Sequence, residues 1–206
     1  GCEYLRLLQF KNQLRKMERY FRIDRHAGVK LICLDPVLSP DDIALIIEDE
    51  PTDITAENHT EHWQYDFQKR YIRGQEEQQN FDFAQILEFN QEKLASIHYT
   101  STFLSVFEPS LLRNILQAIG RGTLDEEDER VVFQWDGREA LPPTQQQIEA
   151  AWGAPYSIIP IESRQYHIYI YTLRSPQIPQ EEPVPVLHIW LTFRSENHKL
   201  AHLKGS

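Results

Sequence analysis

Two kinds of apolar pattern alternate along this chain. Residues 3–21 and 109–119 carry apolar side chains at helical spacing, which predicts an amphipathic helix in each segment. The apolar positions are Leu5, Leu8, Leu14 and Met17 in the first segment, and Leu111, Leu112, Ile115, Leu116 and Ile119 in the second. A short run rich in β-branched residues follows each helix, at 29–34 and at 131–135, and each run predicts a strand.

A second, shorter helix is predicted after each of these strands. Ser39 and Thr144 are suited to cap the first turn, because a hydroxyl accepts a hydrogen bond from a backbone N–H that has no helical partner. Asp42 and Gln147 follow three residues later, where a side chain can bond back to the capping residue. A proline ends each pattern, and in the second half Gly153 precedes it.

The order of these elements repeats, and the spacing between matching positions is nearly constant. After the short helix, each half has an aromatic strand, a polar loop and a closing hairpin. Ile43 and Ile148 are 105 residues apart, and Phe89 and Phe193 are 104 residues apart. Conserved order and spacing of this kind indicate a tandem duplication, with one repeat at 1–103 and the other at 104–206.

The patterns predict an α+β fold of two tandem two-layer units. Each unit is expected to be a helix-strand-helix followed by a three-stranded antiparallel meander, with the helices on one face of the sheet. The polar loops are expected at 73–80 and 175–185, and the second of these is rich in proline. The acidic run 125–129 lacks the spacing of a calcium loop and is interpreted as solvated charge.

Strand alternation in the second half predicts a candidate binding face. If Leu187, Ile189, Leu191 and Phe193 face the core with Ile168 and Ile170, the opposite face carries histidines and large aromatic side chains. The predicted partner-binding residues are His167, Tyr169, Tyr171, His188 and Trp190. Tyrosine and tryptophan supply contact area together with a polar group, as at protein interfaces. The alternatives are that this face packs on the first half, or that the loop at 176–185 covers it.

Composition and charge narrow the classes of function. The chain has 206 residues, of which 41% are hydrophobic, so it can form a core. Its net charge of −10 disfavours a general affinity for nucleic acid or for anionic membrane surfaces. No apolar run approaches the length of about 18 residues that a membrane-spanning helix requires.

Motifs with defined chemistry are missing from the sequence. It contains no nucleophile elbow, phosphate-binding loop, dinucleotide fingerprint or zinc-protease motif. The histidine pairs His59/His62 and His198/His202 do not place two ligands on one helix face. We therefore predict no catalytic residues, no metal site and no cofactor, and we expect a protein that is not an enzyme.

The two cysteines have different surroundings. Cys33 lies in a β-rich run and is predicted to be a small buried hydrophobic residue. Cys2 directly follows Gly1, as in a bacterial lipobox, where a small residue precedes the cysteine that receives the lipid. A lipid on Cys2 would tether a folded domain to a membrane. An ordinary thiol at Cys2, or a disulfide between Cys2 and Cys33, is the alternative.

The unit of capped helix, aromatic strand and hairpin resembles the SmpA/OmlA (BamE) family of small outer-membrane lipoproteins. The second half carries the resemblance best, in residues 144–148, 152–155, 166–171 and 191–193. The first half departs from the family at residues 48–51, which lack the expected glycine. Two such units in one chain also resemble the tandem architecture of the β-lactamase inhibitory protein.

The resemblance implies a periplasm-facing, lipid-anchored bacterial envelope protein that is not catalytic and that binds another envelope protein. Assembly of outer-membrane proteins is not implied, because the proteins of that family have one unit and this chain has two. β-Lactamase inhibition is not implied either, because only the architecture matches. The alternative is a cytoplasmic small-ligand binder or enzyme, which would use a cleft between the repeats and the histidines His167 and His188.

Overall fold

The computed structural model describes residues 1–72, 74, 79–125, 127, 130–137, 141–174 and 185–206. The predicted loops at 73–80 and 175–185 and the acidic run at 125–129 lie largely outside the described residues. No helix within the described ranges is long and apolar enough to cross a membrane.

The elements of the two halves follow one another in a similar order. The first half contains α1 (Cys2–Leu14), α2 (Met17–Tyr20), β1 (Phe21–Asp24), β2 (Val29–Cys33), α3 (Pro40–Ile46), β3 (Asp53–Glu57), β4 (Thr60–Lys69), β5 (Phe83–Asn90) and β6 (Lys93–Tyr99). The second half contains α4 (Pro109–Arg121), β7 (Thr123–Asp125), β8 (Arg130–Asp136), α5 (Gln145–Trp152), β9 (Ser157–Ile161), β10 (Arg164–Leu173), β11 (Pro185–Phe193) and β12 (Leu200–Gly205).

The twelve strands of the described residues belong to one antiparallel sheet with the order β1-β2-β6-β5-β4-β10-β11-β12-β8-β7. Strand β3 pairs with β4, and β9 pairs with β10. The two halves meet where β4 and β10 pair, with Lys69 opposite Tyr171 and Phe67 opposite Leu173. Backbone hydrogen bonds therefore join the halves directly.

The predicted fold class is wrong in its strand content and in its separation into two units. Strands make up 43% of the described residues and helices 24%, and these strands form a single sheet. Each half has two strands where one was expected before its short helix, and four where three were expected after it. The predicted helix over 3–21 is also interrupted, because the backbone of Lys16 is not helical (φ −121°, ψ 51°), so α1 ends at Leu14 and α2 covers Met17–Tyr20. The boundary at 103/104 stays a prediction.

One face of the sheet supplies the hydrophobic core and is called the inner face here. The register places Trp63, Leu87, Ile97 and Leu31 side by side on β4, β5, β6 and β2. All five described helices bury side chains in the same cluster, through Leu14, Met17, Ile43, Leu111 and Ile148. Helix α1 packs on α4, and α4 packs on β8. The helices thus form a layer on the inner face.

Aromatic rings fill the core where the halves meet. Phe103 stacks on Phe83 with ring centroids 3.8 Å apart, and it stacks on Trp152 at 5.3 Å. Tyr171 approaches Phe103 at 5.4 Å with its ring nearly perpendicular. Phe83 belongs to β5, Trp152 to α5 and Tyr171 to β10, so one cluster ties both halves together.

The two predicted capping boxes are confirmed. Ser39 and Thr144 each accept a bond from the backbone N–H three residues on, and the Asp42 and Gln147 side chains bond back. Asp42 is fully buried and also receives the Arg6 guanidinium, with Arg6 Nε 2.7 Å from Oδ2. The bond from Arg6 lowers the pKa of Asp42 to about 2. This pair fastens α1 to α3.

Candidate protein-binding face

The second half presents a sheet face that points away from the helix layer, and we call it the outer face. Paired residues on neighbouring strands share a face. Ile168 lies opposite Trp190, Trp190 opposite Lys204, and Lys204 opposite Gln134. Side chains of β10, β11, β12 and β8 therefore form one surface. Ile168 and Ile170 are buried on it, yet they lie outside the main core cluster.

An aromatic and cationic cluster occupies the middle of the outer face. The Tyr166 and Trp190 rings meet edge to face, with centroids 5.7 Å apart. Lys204 Nζ lies 4.5 Å from the Trp190 centroid and 5.5 Å from that of Tyr166. All three side chains are half-buried. A cation over an aromatic ring is attracted by the negative π face, so these contacts hold the lysine in place.

Two histidines flank this cluster, and both have a pKa below the ordinary value. Burial is the main cause for each, because removal of water disfavours the charged imidazolium. Positive charge adds to the effect, from Arg130 and Arg70 at His188 and from Arg164 and Lys204 at His202. Asp136 acts in the opposite direction at His202. Positively charged side chains therefore lie near both rings, and His202 also has the Asp136 carboxylate opposite it on β8.

The structure divides the five predicted partner-binding residues between the two faces. His188 and Trp190 are half-buried on the outer face. His167, Tyr169 and Tyr171 pair with Leu191, Ile189 and Leu187, and they are at most 6% exposed on the inner face. Their prediction as outer-face residues is wrong. Tyr169 instead donates a hydrogen bond to the Gly153 carbonyl at 2.8 Å and packs on Trp152.

The arrangement expected for the small-ligand alternative is not present. His167 and His188 lie on opposite faces of the sheet, so they do not form a pair. Direct pairing of β4 with β10 makes the halves one sheet rather than the walls of a cleft. In the part of the chain that the structure describes, no group of three or more His, Cys, Asp or Glu side chains could hold a metal ion.

Both cysteines are free thiols, so the disulfide alternative does not apply to this structure. Cys33 is buried as predicted, and burial raises the pKa of its thiol to about 12. Cys2 is exposed at the start of α1. Its role as a lipid anchor stays a prediction.

Sequence reasoning missed Tyr166, Lys204 and Arg70 on the outer face. Lys204 belongs to the last strand, whose pairing with β11 includes a register shift between Thr192 and Phe193. Arg70 follows β4 in the other half and reaches the site only because β4 pairs with β10. Period-two alternation in β10 was the available signal, because Tyr166 lies two residues before Ile168 and therefore shares its face.

The lowered pKa values of three histidines predict that the folded protein is less stable in mild acid than at neutral pH. His167, His188 and His202 all have a lowered pKa in the folded state, so below about pH 6.5 the unfolded chain binds more protons than the folded one. We expect the free energy of unfolding, measured by urea titration, to be lower at pH 5.5 than at pH 7.5. The double variant His188→Gln/His202→Gln should lose less stability over the same interval. An unchanged loss in that variant would contradict the assignment.

Comparison of the chain with protein-family models, with curated proteins and with solved structures finds no match. The resemblance to the SmpA/OmlA family therefore stays a prediction.

Proposed function

We propose that this chain is a non-catalytic protein-interaction module of the bacterial cell envelope, which binds another envelope protein through the outer face of its second half. The observation that carries the proposal is that the described helices pack on one face of the sheet only. All five described helices bury their apolar side chains on the inner face, while Trp190, Tyr166 and Lys204 remain partly accessible on the other.

The chemistry of the outer face suits a protein partner. Tryptophan and tyrosine are enriched among the residues that contribute most to binding at interfaces, since they bury a large area and lose little side-chain entropy. Trp190 is fixed by contacts with Tyr166 and Lys204, so it is pre-organised for binding. A sheet face of four strands also offers a broad surface, which matches an interface better than a small molecule.

Site-specific photo-crosslinking tests this function. A benzophenone amino acid replaces Trp190 in one variant and Leu45 in a control variant, and Leu45 is 63% exposed on α3 in the helix layer. We expect a discrete crosslinked product from position 190 in bacteria that produce the full chain, and none from position 45. Mass spectrometry then identifies the partner.

Binding of the purified partner completes this test. Trp190→Ala should weaken binding by about ten- to a hundred-fold, as for a central interface residue. Leu45→Ala should leave the affinity unchanged, and circular dichroism should show that both variants are folded. If a folded Trp190→Ala variant binds the partner with wild-type affinity, the proposed interface is wrong.

The membrane anchor is a separate part of the proposal. Its support is the exposed thiol of Cys2 and the family resemblance. Palmitate labelling of the native gene product, compared with its Cys2→Ala variant, measures whether a lipid is attached. Equal labelling of the two, or no labelling of either, would contradict the proposed anchor and would leave the proposed binding face untouched.

A further inference from the structure

Positive charge is concentrated on the outer face of a chain that is strongly acidic as a whole. The net charge is −10, yet Arg70, Arg130, Arg164 and Lys204 gather around His188 and His202. We call these four permanent cations and two histidines the basic patch. Arg70 directly follows β4, and the other residues belong to β8, β10, β11 and β12.

The cations of the basic patch are not neutralised within the described residues. None of the four lies within ion-pair distance of a described carboxylate. Arg6 provides the contrast, because its Nε and Nη2 atoms both donate to the buried carboxylate of Asp42. Arg70 and Lys204 instead rest over the rings of Tyr156 and Trp190. Such contacts orient a cation without cancelling its charge, so the charge stays available to a ligand.

We propose that the basic patch recognises an acidic segment of the partner protein, whose Asp and Glu carboxylates pair with Arg164 and Lys204 while an apolar side chain contacts Trp190. The inference rests on the proposed function and adds the chemical class of the partner. Arginine presents its donors in a fork that matches a carboxylate, and charge complementarity of this kind governs the choice of partner.

Charge and shape favour an acidic protein over a nucleic acid. A phosphate backbone carries a regular, dense negative charge, which the remainder of this acidic chain would repel. A short acidic segment can approach the basic patch alone. A depression of about 890 Å³ opens at one end of the patch, and it is lined by Arg164, Arg194 and His202 together with the carboxylates Asp136 and Glu196. These carboxylates direct an acidic segment toward Arg164 and Lys204 rather than into the depression.

Fluorescence anisotropy with labelled poly-L-glutamate tests the inference on the full chain at low ionic strength. Arg164→Gln/Lys204→Gln neutralises two cations of the patch. The control Arg15→Gln/Lys16→Gln makes the same change in charge at exposed residues after α1. We expect poly-L-glutamate to bind the patch variant about ten-fold more weakly than the wild type, as for the loss of two exposed ion pairs, and to bind the control normally.

Several outcomes would overturn the inference. These are no binding of poly-L-glutamate by the wild type, equal weakening in the patch variant and in the control, or tighter binding of labelled oligo(dT) with the same dependence on Arg164 and Lys204. A dimer in sedimentation velocity that the patch variant abolishes would assign the patch to a second copy of this chain instead.

The crosslinking experiment separates this inference from the proposed function. If position 190 crosslinks to a partner while poly-L-glutamate fails to bind, the interface stands and the acidic partner is excluded. If poly-L-glutamate binds through Arg164 and Lys204 while position 190 yields no crosslinked partner, recognition of acidic segments is supported and the proposed interface with an envelope protein is contradicted.

Discussion

Alanine in place of Trp152 is expected to lower the free energy of unfolding by about 3–5 kcal/mol. Trp152 is 1% exposed at the end of α5 and fills the core at the junction of the two halves. Its ring contacts those of Phe103, Phe107 and Tyr169, with centroids 5.2–5.8 Å away. Its indole N–H also donates to the Phe103 carbonyl at 2.8 Å. The substitution opens a cavity and leaves a buried carbonyl without its donor, so two costs add.

Urea denaturation of the wild type and of Trp152→Ala measures this loss. Trp190→Ala is the matched control, because it removes the same side chain from a half-buried position on the outer face. Its cost should be clearly smaller, and Trp152→Phe should fall between the two, since it keeps a ring and loses the hydrogen bond. Equal costs for the two alanine variants would contradict the assignment of Trp152 to the core.

Local signals in the sequence identified several elements correctly. The capping boxes at Ser39 and Thr144 depend only on residues three positions apart, so they can be read directly from the chain. Apolar spacing likewise identified α4. Four of its five predicted apolar residues are buried, namely Leu111, Leu112, Ile115 and Leu116. Both signals act within one or two turns of helix.

The extra strands could not be predicted in the same way. Every residue of β3 (Asp53–Glu57) is exposed, so no alternation of buried and exposed positions marks it. β7 has three residues, which is too short to show a period. The pairing of β4 with β10 joins residues about a hundred positions apart, and a pattern read along the chain does not contain it. These pairings turned two expected sheets into one.

Of the proposed binding face, the sequence predicted the residues of β11 correctly but not those of β10, because burial on both faces obscures the alternation. β10 is buried on both faces from His167 to Thr172, with Ile168 and Ile170 at 5% and 9% exposure. Alternating isoleucine and tyrosine are therefore compatible with two inner faces, and hydrophobicity alone favours the isoleucines as the inner residues. The tyrosines face the core because their rings extend to the helix layer, where Trp152 contacts Tyr169. On β11, the same alternation identified His188 and Trp190 as outer-face residues.

A single methyl group at Gly120 is expected to destabilise the protein by about 2–3 kcal/mol. Glycine within a helix normally costs about 1 kcal/mol relative to alanine, so Gly120→Ala would ordinarily stabilise α4. Here a Cβ would lie 2.5 Å from the Arg15 backbone N and 2.8 Å from the Leu14 carbonyl carbon. Both are backbone atoms at the end of α1 and cannot rotate away. Helix α1 would have to separate from α4, and Lys11 would lose its bond to the Gly120 carbonyl at 3.0 Å.

Asn114→Ala is the control for Gly120→Ala, because Asn114 is a half-buried residue of the same helix. It should leave the free energy of unfolding unchanged or raise it by a few tenths of a kcal/mol, since alanine is the better helix former. Hydrogen exchange should show faster opening of α1 in Gly120→Ala alone. A stabilised Gly120→Ala variant would mean that α1 and α4 do not approach closely. The contact between the first helices of the two halves would then contribute little to holding them together, and that role would fall to the β4–β10 pairing and the aromatic core around Trp152.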